Sequence, residues 1–178
     1  MILEETLNKF VRDVTNLIIG ETGFAIRGNQ KDSPRPNCSY AYVSFLTDEL
    51  IGWEEFDIED ELNSTQVKIS SSGMRSVTMT IGFYRDNSTD NARKFRQGLI
   101  RESIKTLFTQ ASIGLTSRSQ VTRTPEAYEN GWEESAQLEI VLNVIGTDED
   151  IVESIGSVTI PTEVQYPSHI NNFDIEVS

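Results

Sequence analysis

The residues with the strongest chemistry in this chain are one histidine, one cysteine and two runs of carboxylates. A histidine-dependent triad would have to use His169, which stands near the C-terminus by Pro167 with no acid or nucleophile at a recognisable spacing and reads as a solvated residue. Cys38 has no second thiol with which to form an internal disulfide, a redox pair or a thiolate metal cage. It reads as a buried or half-buried structural cysteine. The run Glu54, Glu55, Asp57, Glu59, Asp60, Glu61 and the trio Asp148, Glu149, Asp150 could offer oxygen ligands to Ca²⁺ or Mg²⁺. Neither has the alternating acids and closing glutamate of an EF-hand loop, so both read as solvated or partner-facing acidic edges. Paired carboxylates carry out glycoside hydrolysis, but a chain with 28 Asp and Glu contains many pairs by chance. Gly20, Gly23 and Gly28 lack the spacing and the lysine of a phosphate loop. The expectation is no catalytic residue, no cofactor and no metal ligand, in a protein that is not an enzyme.

Charge says more than any motif. All 15 Lys and Arg fall in residues 1–123, beside 16 Asp and Glu, while residues 124–178 hold 12 acids and neither Lys nor Arg. The formal charge of −13 is thus −1 from the first stretch and −12 from the second. Such a surface repels nucleic-acid phosphates, so sequence-specific nucleic-acid binding is not expected. It suits a basic patch on another subunit, where complementary charge speeds and orients docking. No apolar run approaches the ~20 residues that cross a bilayer, and Met1 to Glu5 has neither the basic start nor the apolar stretch of a secretory signal. No membrane partner and a cytoplasmic site of synthesis are expected.

The elements that carry these residues follow from periodicity. Leu3, Leu7, Phe10, Val11, Val14, Leu17 and Ile18 recur at steps of three and four, predicting an amphipathic helix that Gly20 stops. Residues 28–36 contain two prolines among turn formers and predict a loop. Tyr40 to Leu46 is dense in aromatic and β-branched residues and predicts a strand, with further strands at Ile51 to Phe56 and Thr65 to Ser70. Val77, Met79, Ile81 and Phe83 alternate with smaller residues in a strand with one buried face, and Ser70-Ser71-Ser72-Gly73 reads as the reversal that joins it to Thr65–Ser70 in a hairpin.

Ser88 or Thr89 can cap a second helix whose apolar face, Ala92, Phe95, Leu99, Ile100, Ile104, Leu107 and Phe108, runs to about Gln110. Its other face carries Arg93, Lys94, Arg96, Arg101 and Lys105 against Asp90 and Glu102, a net +3 helix in an acidic protein. Residues 112–131 predict a long excursion with a short strand near Gln120–Arg123. Leu138, Ile140, Leu142 and Val144 predict another half-buried strand, Asp148-Glu149-Asp150 a turn or short capped helix, and Val158 to Pro161 a short edge strand. The fold expected is α+β, an antiparallel or mixed β-sheet packed against two amphipathic helices. Residues 1–165 form a single domain, and 166–178 an extended or flexible C-terminal arm.

The leading helix, the loop from Gly28-Asn29-Gln30 to Pro34-Arg35-Pro36 before an aromatic strand, the alternating strand feeding a long helix, and Trp132-Glu133-Glu134-Ser135-Ala136-Gln137-Leu138-Glu139-Ile140 together resemble the neck or tail terminator proteins of tailed bacteriophages. The resemblance covers roughly residues 1–145. The family pattern has an Arg where this chain has Ser135, which puts any salt bridge from that position in question. What the resemblance implies is a virion structural protein of the tail and neck, made in the host cytoplasm. It would form a homohexameric ring that caps the tail tube protein and meets the neck/connector or sheath proteins, with a lumen able to pass DNA.

Ring contacts are heterologous, one face meeting a different face of the neighbour. The candidate assembly interface is accordingly Arg93, Lys94, Arg96, Arg101 and Lys105 against Asp148, Glu149 and Asp150. Two other readings compete. One is a cytoplasmic acidic binding module or assembly chaperone for a basic protein partner, and the other is an acid-dependent hydrolase using Asp57 and Asp60.

Overall fold

The computed structural model describes residues 2–28, 35–63, 66–128 and 131–153, with only the backbone described at 2–3, 58–63, 66–67, 128 and 149–153. In chain order the elements are α1 (Ile2–Ile19), β1 (Ala25–Arg27), β2 (Tyr40–Asn63), β3 (Gln66–Tyr84), α2 (Ser88–Gly98), α3 (Glu102–Gln110), β4 (Gly114–Arg118), β5 (Thr122–Arg123), β6 (Glu126–Tyr128), β7 (Gly131–Glu133) and β8 (Ser135–Glu153). The main sheet runs β1-β2-β3-β8-β4, with β5 also on the β8 edge, and β6 and β7 make a separate hairpin. Only β1 pairs in parallel, with β2, so the sheet is mixed and the fold is α+β.

The predicted spacing of α1 buries Leu7, Val11, Val14 and Ile18. The helix stops where expected, at Gly20 with φ 88°, a left-handed conformation that costs glycine little. The Gly20 N–H donates to the Asn16 carbonyl at 2.8 Å, and the Asn16 side chain accepts from the Ala25 N–H at 2.7 Å. One residue thus closes the helix and seats β1.

The alternation of β3 also holds. Val77, Met79, Ile81 and Phe83 are fully buried and lie opposite Leu142, Ile140, Leu138 and Ala136 of β8. The helices cover this face. Phe83 packs between Phe24 and Phe95, with ring centroids at 6.3 and 5.8 Å, and Phe10 of α1 meets Phe108 of α3 edge to face at 5.0 Å.

Several expectations are corrected. The chain does not reverse at Ser70–Gly73: β3 is continuous there, and the reversal lies between Asn63 and Gln66. Gly73 serves clearance instead, because a Cβ there would sit 2.8 Å from Leu50 Cδ1 and 3.2 Å from Glu54 Cγ.

Asp148-Glu149-Asp150 is not a turn or helix, but strand paired with Ser71, Ser70 and Ile69. Ladder hydrogen bonds to β3 override the local turn preference of the acids.

The second helix is two helices. The path breaks at Leu99–Arg101, where Arg101 is extended at φ −65°, ψ 141°, and this lets α3 turn toward Phe10. Neither Ser88 nor Thr89 is the cap; Asn87 holds that position at φ 60° without a side-chain cap bond, and Ser88 is buried in the first turn. Cys38 is exposed rather than buried. Leu17 and Ile100, placed on apolar faces, are exposed as well. The excursion after α3 contains β4 to β6, of which β5 overlaps the expected strand. Val158–Pro161, His169 and the 166–178 arm lie outside the described residues.

Beyond Val77 and Val144 the three long strands leave the helices and continue as an arm. β3 and β8 pair without a slip from Tyr84–Ser135 to Gln66–Glu153. The part of β3 from Gln66 to Ser76 is roughly 35 Å long at about 3.3 Å per residue.

Candidate functional site

The arm presents side chains that a lone domain would bury. Ile51 lies opposite Met74, and Met74 opposite Ile145, so three exposed apolar side chains form one row across all three strands on one face. On β2 the register slips between Ile51 and Glu55, so that Gly52, Trp53 and Glu54 bulge outward opposite Gly73. Gly52 adopts φ 85°, and Trp53 is 95% exposed at the crest. Arg75 fixes the bulge from below, with ion pairs to Asp48 at 3.0 Å and Glu54 at 3.3 Å. Gly146 leaves room for it, since a Cβ there would lie 2.6 Å from Arg75 Cδ. Residues 46–57 hold Asp48, Glu49, Glu54, Glu55 and Asp57 and no Lys or Arg, so the indole sits in an acidic surround.

The outer side of the α2–α3 layer is basic. Arg93, Lys94, Arg101 and Lys105 are exposed on α2, α3 and the turn between them. Lys94 donates to the Ile19 carbonyl at 2.7 Å and Arg96 to the Ser119 carbonyl at 2.9 Å, so these two also hold the body together. The ion pairs Arg93–Asp90 and Lys105–Glu102 are exposed and lie within one helical turn, where they contribute at most a few tenths of a kcal/mol, of order 0.3–0.5. Between the α2–α3 turn and β4 lies a groove of about 390 Å³, floored by Leu99, Ile100, Phe108 and Leu115 and rimmed by Lys105 and Arg118.

The face of the sheet away from the helices carries a third cluster. Tyr40 stacks on Tyr84 at 5.1 Å, Tyr42 tilts against Tyr84 at 5.5 Å, and the Arg35 guanidinium lies 5.9 Å from the Tyr84 ring centroid. Tyr84 donates to Glu126 at 3.0 Å, and Arg35 pairs with Glu126 at 3.3 Å and Glu133 at 3.1 Å. Arg85 Nε lies 3.1 Å from Glu133, close enough for an ion pair but not aligned for a hydrogen bond.

Burial, then the Tyr42 phenol and the Glu126 carboxylate, push the Tyr84 phenol far above its ordinary value of 10.0, and burial also raises Tyr40. For Arg35, desolvation acts downward but is outweighed by Tyr40, Glu126 and Glu133, so its pKa is raised. Neutral phenols and a fixed guanidinium make this cluster a lock for the β6–β7 hairpin, not a source of nucleophile or base. An open recess of about 590 Å³ lies beside it, lined by Arg27, Tyr42 and Glu139 among others.

The structure places Arg93, Lys94 and Arg96 on α2, Arg101 between the helices and Lys105 on α3, with Lys94 reaching back to α1 and Arg96 across to Ser119, and it places Asp148 in the arm, opposite Ser71. Glu149 and Asp150 continue the same strand, and their side chains lie outside those described. Among the described residues no group of three His, Cys, Asp or Glu could hold a metal ion. Ser135, the position of the departure from the family pattern, shares a hydrogen bond with the Thr124 hydroxyl at 3.0 Å and donates to the Thr124 carbonyl. Sequence reasoning missed Trp53, although a glycine inside a strand pattern, Gly52, is the usual sign of a bulge. It also missed the Tyr84 cluster, whose members are separated by up to 98 residues and meet only through the sheet.

No helix is long and apolar enough to cross a membrane among the described residues. A family model described as phage neck terminator protein matches residues 1–167. No curated protein matches the chain. Among solved structures, the type 4 fimbrial biogenesis protein PilO from Pseudomonas aeruginosa aligns at 10% identity over 85% of this chain and 72% of that one, with a TM-score of 0.21. A likeness at that score carries no argument about fold or function.

Proposed function

We infer the role of this chain from one premise: it belongs to the phage neck terminator family, which makes it a structural protein of the phage tail and neck. On that premise we propose that it caps the tail tube and joins it to the neck/connector as a ring, without catalysing a reaction. The family match over residues 1–167 carries the reading. The geometry supports it in one respect. A ring needs two unlike faces on each subunit, and this chain has an acidic arm with exposed apolar side chains on the β2 side and basic helices toward the β4 side. Its neighbours in this reading are copies of itself, the tail tube protein, and neck or sheath proteins, with assembly in the host cytoplasm and DNA passing through the lumen. Arg93, Lys94, Arg96, Arg101 and Lys105 then set the register against the acidic arm of a neighbour, including Asp148, Glu149 and Asp150.

Exposed charge pairs contribute only about 0–1 kcal/mol each, so apolar burial must hold the ring while charge orients it. Light scattering on the full chain tests this. Arg101→Glu with Lys105→Glu is expected to weaken self-association about tenfold at low salt, with a smaller difference between variant and wild type at high salt. An unchanged oligomer after the reversal, at both salts, rules out the charge-set register.

A further inference from the structure

We propose that Trp53 on the arm of one copy inserts into the groove beneath Lys105 and Arg118 of the next copy, making a knob-and-hole contact that closes the ring. This rests on the ring reading and names the segment that makes its subunit interface.

Several observations meet at this pair of surfaces. Trp53 is 95% exposed, yet it is not on a loose loop: Gly52 turns the bulge outward and Arg75 clamps its base through Asp48 and Glu54. A large aromatic raised into water on a clamped backbone is suited to be an interface anchor, since only its two side-chain torsions need ordering on docking. The groove of about 390 Å³ supplies the complement, an apolar floor of Leu99, Ile100, Phe108 and Leu115 that stands open among the described residues. Ile100, on that floor, is itself 54% exposed.

Charge selects the same pairing. Residues 46–57 around the knob carry five acids, of which Asp48 and Glu54 are paired with Arg75 while Glu49, Glu55 and Asp57 add further negative charge, whereas residues 93–118 around the groove carry six Lys and Arg and one acid, Glu102. Two arms brought together would repel, and so would two grooves. An arm meeting a groove is attractive, which favours a head-to-tail contact over a two-fold one.

Topology fits head-to-tail contact as well. β2, which carries the knob, and β4, which walls the groove, lie toward opposite sides of the sheet order β1-β2-β3-β8-β4. A contact between opposite sides repeats from copy to copy and closes when the rotation allows. The arm also supplies reach, since Trp53 lies opposite Gly73, four residues and roughly 13 Å beyond Val77, the last residue of β3 buried under the helices.

The test uses the full chain in a Cys38→Ser background. Trp53→Ala is expected to raise the dissociation constant for self-association about 30-fold or more, as loss of a central aromatic anchor does. Ile100→Asp is expected to act in the same direction from the groove side. Because Trp53 and Ile100 are exposed, circular dichroism and the unfolding midpoint should match wild type at concentrations where both chains are monomeric. Mixing two single-cysteine chains that both keep Trp53, Glu55→Cys and Thr116→Cys, under mild oxidation is expected to give a disulfide-linked dimer that neither forms alone. An oligomer that persists in Trp53→Ala, with no cross-link in the mixture, overturns this contact and leaves the ring reading standing. A wild-type chain that stays monomeric at every concentration, alone and with tail tubes present, overturns both.

Discussion

Replacing Phe83 by alanine is expected to lower the stability of the body by about 3–5 kcal/mol, the usual cost of deleting a buried aromatic. Phe83 is fully buried, and its ring touches Phe24, just before β1, on one side and Phe95 of α2 on the other. It therefore joins the sheet to both the first strand and the helical layer. Neither neighbour can move into the space without breaking backbone bonds of its own element, so the cavity stays largely unfilled. Urea unfolding followed by circular dichroism is expected to show a lower midpoint with an unchanged slope, the sign of lost stability without a changed denatured state. Phe56→Ala is the internal comparison. That ring is 67% exposed on the arm, and its loss is expected to stay within about 0.5 kcal/mol. If the two variants unfold alike, the division into a packed body and an uncovered arm is wrong.

The second large effect is expected at Gly98, where two principles oppose each other. Alanine in place of a helical glycine is favoured by about 1 kcal/mol through helix propensity alone. Here a Cβ would stand 2.4 Å from Ile18 Cγ2, 3.0 Å from Cγ1 and 3.1 Å from Cδ1, closer than real side chains approach. Cγ2 is fixed to the Cβ of Ile18 and cannot swing clear as a chain end would, so α1 and α2 must separate. Overpacking of this kind costs about 1–3 kcal/mol, which exceeds the propensity gain, and Gly98→Ala is expected to destabilise. In a double-mutant cycle with Ile18→Ala, the alanine at 98 is expected to become neutral or stabilising, because the clash is gone. A stabilising single variant would mean that the helices already have slack at this crossing.

The reasons these sites were or were not visible beforehand are physical. α1 and the buried half of β3 show in the sequence because their periodicity is local: Leu7, Val11, Val14 and Ile18 repeat on one helical face, and Val77 to Phe83 alternate. The arm does not show in this way. Ser70–Gly73 and Asp148–Asp150 have turn-forming residues, yet each is strand because the other supplies its ladder partners, at a separation of 70 or more residues. Gly73 answers to the bulge opposite it, which no local rule reveals. The break between α2 and α3 had one sign, Gly98 inside a helical pattern, and the need for a glycine there, clearance for Ile18, comes from another helix.

The candidate interface was visible only in part. The basic residues stood out by charge, but the groove they rim depends on β4 meeting the α2–α3 turn, and Trp53 became an anchor only once the bulge at Gly52 was placed. The Arg35, Tyr84, Glu126 and Glu133 lock is assembled from four separate segments and left no pattern to read.

The physical division of the molecule bears directly on its role. A helical body with a closed core would be stable without the arm's apolar surface. The row Ile51, Met74, Ile145 and the crest at Trp53 are therefore apolar surface exposed without benefit to the lone chain's stability, and rimmed apolar patches of this sort mark contact with another protein. On the proposed role, those contacts would be with neighbouring copies, the tube and the neck.

The most direct measurement is electron microscopy of purified tail tubes mixed with this protein. The expected result is ring-shaped density at one end of each tube and none along its length, because capping needs the terminal layer of tube subunits. Binding along the whole tube, or tube ends left bare at saturating protein, would contradict the proposal that this chain caps the tail.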